Sequence, residues 1–174
     1  AQHLVLPGVG AFHKGMKALQ ELELTKTIIK TANRGVPLIG ICLGMQMLLD
    51  ESDEFEVTDG LGLISGRVEK FPEIKEKNNY IKIPQINWHE IVPGISNISW
   101  KNSLLKEHMS TDSLYFVHSF VARPSNVNHI LANYNCYGIK IPALIIKDNI
   151  IGCQFHPEKS GDAGLNILKN FMSM

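Results

Sequence analysis

The run Pro37-Leu38-Ile39-Gly40-Ile41-Cys42-Leu43-Gly44-Met45-Gln46 constrains this chain more than any other. Its first half is continuously apolar, without the polar alternation of a half-solvated strand. A strand of that kind is buried on both faces, which calls for a sheet covered by helices on both sides. It runs straight into Gly-x-Cys-x-Gly and then into a helix-forming segment. Strand, sharp turn and helix with a nucleophile at the turn form a nucleophile elbow, here carrying a thiol. The two glycines are expected to permit the tight turn. The helix N-terminus is expected to favour the thiolate of Cys42.

The neighbouring segments extend the pattern. Leu4-Val5-Leu6 is a short buried strand ending at Pro7-Gly8-Val9-Gly10. From His13 to Asn33, Met16, Leu19, Ile28, Ile29 and Ala32 fall at helical spacing and predict one helix. Leu43 to Glu51 predicts a second. Strand–helix–strand–helix is the βαβ signature, so the expected fold is α/β: an open, mostly parallel sheet flanked by helices. Sites in such sheets form at the carboxyl ends of strands, where both Gly8-Val9-Gly10 and Cys42 fall. Further on, turns break strands around Gly60–Leu63 and Gly66–Val68, and Ser113 to Ala122 alternates as one strand. Ala143–Ile146 and Ile150–Phe155 form a hairpin with Asp148-Asn149 at its turn. Ser160 caps a closing helix that runs to Met172. The lysine-rich stretch Glu73–Asn79 reads as a solvated loop. Residues 1–174 show no repeat or linker and are read as a single domain.

Composition excludes several classes. Lys plus Arg equals Asp plus Glu at 17 each, which gives no electrostatic reason for a nucleic-acid or anionic-membrane partner. Apolar runs are far too short to span a membrane. Three cysteines without short spacing (Cys42, Cys136 and Cys153) argue against disulfides and structural zinc and for a reducing, cytoplasmic setting. The histidines outside His156 share no ligand spacing, so no metal is expected, and no cofactor. Cys153 reads as a small core residue, Trp100 and Tyr134 as packing, and His118 either as a packed or hydrogen-bonded histidine or as a pocket-lining one.

A thiol at an elbow needs a base. His156 follows an apolar strand in Phe155-His156-Pro157-Glu158-Lys159-Ser160, with Glu158 two residues on. A carboxylate there can accept the imidazole N–H, fix the tautomer and stabilise imidazolium. Cys42, His156 and Glu158 therefore form a candidate Cys-His-Glu triad. The backbone N–H of Leu43 and the Val9-Gly10 turn are the candidate oxyanion donors.

Four stretches together carry a resemblance: Pro7-Gly8-Val9-Gly10-Ala11-Phe12, Gly40 to Gln46, Tyr115-Phe116-Val117-His118-Ser119 and Phe155 to Ser160. They resemble the class I glutamine amidotransferases, which have a flavodoxin-like sheet. More narrowly they are similar to the glutaminase subunits of imidazole glycerol phosphate synthase, from histidine biosynthesis. The resemblance implies that Cys42 attacks the side-chain amide of L-glutamine, with His156 as base and acid and Glu158 orienting it. It places Gln46, Ser119 and Phe120 around the glutamine. It implies a heterodimer with a (β/α)8-barrel cyclase subunit, which receives the ammonia and is faced by Lys159 and Trp88. It also implies an oxyanion turn that reorients when the partner binds its own substrate, and so a low glutaminase rate in the free chain.

Three departures accompany the resemblance. The opening strand–helix unit of relatives, with its Asp-Tyr-Gly-x-Gly-Asn stretch, is missing, so the chain reads as N-terminally truncated with an apolar edge exposed. Pro84-Gln85-Ile86-Asn87-Trp88-His89 stands where relatives read Pro-His-Met-Gly-Trp-Asn, in what is expected to be an interface loop. Asp50 replaces a glutamate expected near the glutamine pocket. The second departure keeps open a paralogue that feeds ammonia to a sugar precursor of a surface polysaccharide. A thiol peptidase on a similar fold and a catalytically silent regulatory subunit are the other readings.

Overall fold

The computed structural model describes residues 1–76 and 79–174. The first half contains β1 (Leu4–Gly8), α1 (Phe12–Glu21), α2 (Leu24–Ala32), β2 (Leu38–Cys42) and α3 (Leu43–Met47). Short strands follow: β3 (Glu51–Ser52), β4 (Thr58–Asp59), β5 (Gly66–Lys70), β6 (Lys75–Glu76) and β7 (Asn79–Tyr80). The second half contains β8 (Gln85–Pro93), β9 (Ser113–His118), β10 (Phe120–Pro124), β11 (Ile130–Cys136), β12 (Ile139–Lys147), β13 (Ile150–Cys153) and α4 (Gly161–Phe171).

Seven strands form the main sheet in the order β1-β2-β13-β12-β11-β8-β9. Every residue of β2 is buried. Successive side chains point to opposite faces of the sheet and enter different cores. Leu38, Ile145 and Ile150 join Phe12, Met16 and Leu19 of α1. Ile39, Leu144, Ile146 and Ile151 join Ile167 and Phe171 of α4. Helices thus cover both faces, and the expected α/β architecture is present. Its parallel part is confined to β1-β2 and β2-β13, while the other four pairings are antiparallel. A second, four-stranded sheet runs β10-β5-β3-β4.

Several local expectations change. The helix predicted over His13–Asn33 is two helices, broken where Glu23 adopts a left-handed φ of 55°. Leu19 and Ile28 are nine residues apart, about half a turn out of phase on a continuous helix. The break returns both segments' apolar positions to the same core. The helix predicted to Glu51 stops at Met47, because the carbonyls of Met47, Leu48 and Leu49 accept from the amides of Leu61 to Ile64 instead. The strand predicted over Ser113–Ala122 divides at Ser119. β9 pairs with β8 in the main sheet, while β10 pairs with β5 in the smaller one.

Of the expected interface loop at Pro84–His89, Gln85 to His89 form the start of strand β8, with Trp88 opposite Tyr115. Of the lysine-rich stretch, residues 77 and 78 lie outside the described residues, and β6 and β7 pair on either side of them. The hairpin at Asp148-Asn149 forms as expected. Asn149 also ties it to the end of α2, donating to the carbonyls of Ala32 (2.9 Å) and Val36 (2.8 Å). Among the described residues, no helix is long and apolar enough to cross a membrane.

The elbow is built differently from the expectation. Neither Gly40 nor Gly44 takes a positive φ; Cys42 itself does, at 55°. The glycines serve close packing: a Cβ on Gly44 would collide with the carbonyl of Leu6, and one on Gly40 with the backbone of Gly44. The obstacle in each case is backbone, which cannot rotate away. Gly44→Ala should therefore destabilise the chain by about 3 kcal/mol or more, lowering the thermal midpoint by roughly 6–12 °C for a domain of this size. A melting curve within about 2 °C of the parent would contradict this packing.

Candidate functional site

The register of the parallel strands assembles the site. Gly8 lies beside Cys42 at the ends of β1 and β2, and Ile41 lies beside Cys153 of β13. The three strands thus deliver Val9-Gly10, Cys42 and Gln154-Phe155-His156 to one end of the sheet. A cavity of about 350 Å³ lies there, lined by Val9, Gly10, Cys42, Leu43, Gln46 and His156. Ser119 and Phe120, at the point where the chain leaves the main sheet, complete it together with Val117, His118, Pro84 and Glu54. Val9 is 79% exposed at its mouth, and Gly10 has a φ of 101° with no atom within 4 Å of a would-be Cβ.

His156 is 3% exposed. Its Nδ1 lies 2.7 Å from Glu158 Oε1, while its Nε2 is buried without a partner in the protein. A carboxylate facing Nδ1 leaves Nε2 as the nitrogen free to take a proton. The backbone holds the ring from both sides. The His156 N–H donates to Tyr115 O at 2.9 Å. Ser160, expected to cap α4, makes no capping hydrogen bond. Its hydroxyl instead donates to His156 O (2.6 Å) and accepts from the Tyr115 N–H (3.0 Å). Glu158 lies outside the main cavity and, with His156, Gly8, Val9 and Ile41, lines a second one of about 280 Å³.

The sulfur of Cys42 has two neighbours: Sγ donates to Val117 O at 3.8 Å, and Gln154 Nε2 donates to Sγ at 3.7 Å. Burial pushes its pKa up to about 11, against a smaller lowering by the Leu43 N–H. The thiolate expected from the helix N-terminus is therefore not the resting state. With five residues, α3 offers little dipole, and desolvation wins. Gln46 is buried, and its Nε2 donates to Gln154 Oε1 (3.0 Å) and Phe120 O (3.3 Å). His118 has the packed, hydrogen-bonded character expected of it: Nδ1 faces Phe120 O at 2.7 Å and Nε2 faces Tyr134 Oη at 2.9 Å. Burial lowers its pKa to about 4, so the ring stays neutral while lining the cavity.

Lys159 and Trp88 lie apart from the cavity, both near the Tyr115 ring. The Lys159 ammonium is 5.8 Å from the centre of that ring, and the Trp88 ring is 5.6 Å from it, edge-on. Trp88 and Ile86 are 51% and 58% exposed, so β8 presents an apolar face. Asp50 does not line the cavity as expected. It accepts from the Gly66 N–H at 2.9 Å and fixes the start of β5.

Two residues at the site escaped the sequence reading, Gln154 behind Cys42 and Glu54 in the cavity wall. Gln154 is 1% exposed at the end of an apolar strand, and a buried amide at such a place is its one signal. Glu54, which accepts from the Phe12 N–H at 2.6 Å, sits in the acidic stretch Glu51 to Glu56, which carries no motif. Among the described residues, no group of three or more His, Cys, Asp and Glu is arranged to hold a metal ion.

The glutamine amidotransferase class-I family model matches residues 1–174. An imidazole glycerol phosphate synthase subunit HisH from Legionella pneumophila (strain Lens) is 47% identical over all of this chain and 82% of its own length. The subunit of the same name from Geobacillus sp. (strain WCH70) is 41% identical over all of this chain and 79% of its own. Among solved structures, a glutamine amidotransferase superposes with a TM-score of 0.64 at 19% identity, covering 98% of this chain and 79% of that one. The chain belongs to the class-I glutamine amidotransferases, a family of enzymes.

Proposed function

We propose that this chain hydrolyses L-glutamine and passes the ammonia to a synthase partner, as the glutaminase subunit of an imidazole glycerol phosphate synthase in histidine biosynthesis. One observation carries the chemistry: an unpartnered His156 Nε2, with Nδ1 held by Glu158 at 2.7 Å, lines the same cavity as Cys42. The pathway rests on relatives that are 47% and 41% identical over the whole chain and carry that synthase's name.

Glutamine enters with its side-chain amide over Cys42. Glu54, the one carboxylate lining the cavity among the described residues, pairs with the α-ammonium. Gln46, Ser119 and Phe120 bound the rest of the substrate. His156 Nε2 takes the thiol proton as Sγ attacks the amide carbon, and Glu158 stabilises the imidazolium. The Leu43 N–H receives the oxyanion, joined by the Val9-Gly10 turn. The exposed Val9 peptide leaves that turn free to reorient when the partner is engaged. His156 then protonates the departing nitrogen, and ammonia leaves while a thioester remains. Water, activated by His156, cleaves the thioester to glutamate and restores the thiol.

The partner is a (β/α)8-barrel cyclase bound as a heterodimer. The face built by Trp88, Tyr115 and Lys159 beside His156 offers it aromatic rings and a cation close to the point where ammonia forms. An intact Cys42, His156 and Glu158 set gives no support to a silent regulatory subunit.

Cys42→Ala should abolish glutamate release, by at least about 10³-fold, without loss of folding. His156→Ala should cost about 10²–10⁴-fold. Unchanged turnover in Cys42→Ala would remove the nucleophile. Glutamate release should also rise when the cyclase and its nucleotide substrate are added, and equal rates with and without them would overturn the coupling. In the free chain the thiolate is the alkylated form. Because the folded thiol titrates above an ordinary one, iodoacetamide labelling of Cys42 should be slow at pH 7.5. It should climb about tenfold per pH unit towards pH 11. Saturation of the rate below pH 9 would contradict the buried neutral thiol.

A further inference from the structure

The proposed reaction leaves unused a buried polar side chain beside the sulfur, that of Gln154. Gln154 is 1% exposed, follows the last residue of β13 and carries its amide into the gap between Gln46 and Cys42. An amide buried this deeply in an otherwise apolar strand is costly unless both its ends are satisfied. Here both ends are used, and the direction of each bond is determined.

The direction can be traced from the far side. A ring nitrogen facing a carbonyl must donate, so His118 Nδ1 carries the hydrogen and points it at Phe120 O. Its Nε2 is then the acceptor for the Tyr134 hydroxyl. Phe120 O, fixed by His118, also accepts from Gln46, which sets that amide with its NH2 group inward. The same Gln46 nitrogen donates to Gln154 Oε1, which leaves the Gln154 NH2 group facing Cys42 Sγ. The Phe120 carbonyl thus accepts from both sides, from His118 and from Gln46, and from Gln46 onward the donors point to Gln154 and then to the sulfur. The Gln154 backbone cannot shift to relieve this arrangement, because its N–H is bonded to Ala143 O at 2.9 Å.

The geometry points to Gln154 as the side-chain donor that holds Cys42 Sγ in place and stabilises its thiolate as His156 withdraws the proton. The inference rests on Cys42 being the nucleophile. In the resting thiol, Sγ–H is directed at Val117 O and the Gln154 bond is weak, at 3.7 Å. When the proton moves to His156 Nε2, the electron pair stays on sulfur, and an N–H bond to an anionic acceptor shortens and strengthens. Gln154 thus supports the charged form more than the neutral one. Around the sulfur, Glu158 opposes the thiolate, whereas Lys159 and the Leu43 N–H assist it along with Gln154.

Gln154→Met keeps the length and volume of the side chain and removes the donor. Iodoacetamide labelling of Cys42, followed on its peptide by mass spectrometry between pH 7.5 and 10, should slow three- to tenfold. Steady-state glutamate release should lose about tenfold or more in kcat, with KM for glutamine held within about twofold. A thermal midpoint close to the parent's should accompany both changes. Labelling and kcat equal to the parent's would overturn the inference, as would a raised KM with kcat retained, which is the mark of a merely structural side chain. If Gln154→Met does not fold, Gln154→Glu decides. Its protonated carboxyl can still donate to sulfur, while its ionised form opposes the thiolate. Labelling should then fall increasingly behind the parent as pH rises through that carboxyl's titration, and a constant ratio would overturn the inference. Cys42→Ala separates the two levels: turnover surviving in that variant removes the nucleophile itself, whereas a dead Cys42→Ala beside an unaffected Gln154→Met removes only the role of Gln154.

Discussion

The site depends on how closely the first turn of α3 lies against β1. Gly44 approaches the Leu6 carbonyl so nearly that no side chain fits between them, and Gly40 packs against Gly44 in the same way. That approach forces the turn at Cys42, which holds a positive φ without being glycine. Such a conformation costs on the order of 1–3 kcal/mol and persists only where its surroundings over-determine it. Here β2 is hydrogen-bonded on both sides, to β1 and to β13, and buried along its whole length. Rigid strands and two backbone contacts together hold the strained residue, and its side chain has one place to go.

The rest of the site follows from that placement. Gln46, four residues on from Cys42, lies on the same face of the turn. The pairing of Ile41 with Cys153 brings Gln154 alongside Cys42 and puts His156 at the same end of the sheet. Ser160 then ties His156 to β9, which in turn pairs with β8 and its exposed Trp88. A partner seated on β8 would press on the strand whose backbone holds the imidazole. The mechanical path from the proposed docking face to the base is therefore two strands long.

What could be read in advance was local. Cys42, Gln46, His156 and Glu158 each sit in a short stretch whose type and spacing imply a role, and the structure gathers all but Glu158 around one cavity. Glu158 reaches it through His156. What could not be read depends on partners distant in the chain. Nothing in Leu22-Glu23 announces a helix break, because the break answers to the position of the core. The early end of α3 is decided by amides from Leu61 to Ile64. The predominance of antiparallel pairing is decided by where β8 and β11 dock. The resemblance places Asp50 near the glutamine pocket, yet it turns toward Gly66. Gln154 carries no motif of its own, and its role exists only through Gln46 and the sulfur.

The balance at Cys42 bears on when such an enzyme works. A thiol pushed up to about 11 is ionised to only roughly one part in 10⁴ at neutral pH. A preformed thiolate–imidazolium pair is then not the resting state, and on the proposed mechanism proton transfer to His156 accompanies attack on the amide. Around the sulfur, hydrogen bonds from the Leu43 N–H and Gln154 favour the charged form, and burial opposes it more strongly. On the proposed mechanism, an oxyanion hole completed by the exposed Val9-Gly10 turn is what adds the remaining stabilisation once it forms. Ammonia released with no acceptor waiting is lost to solvent. The proposed coupling, in which a neutral, buried Cys42 thiol is activated only when the partner is engaged, would prevent that loss.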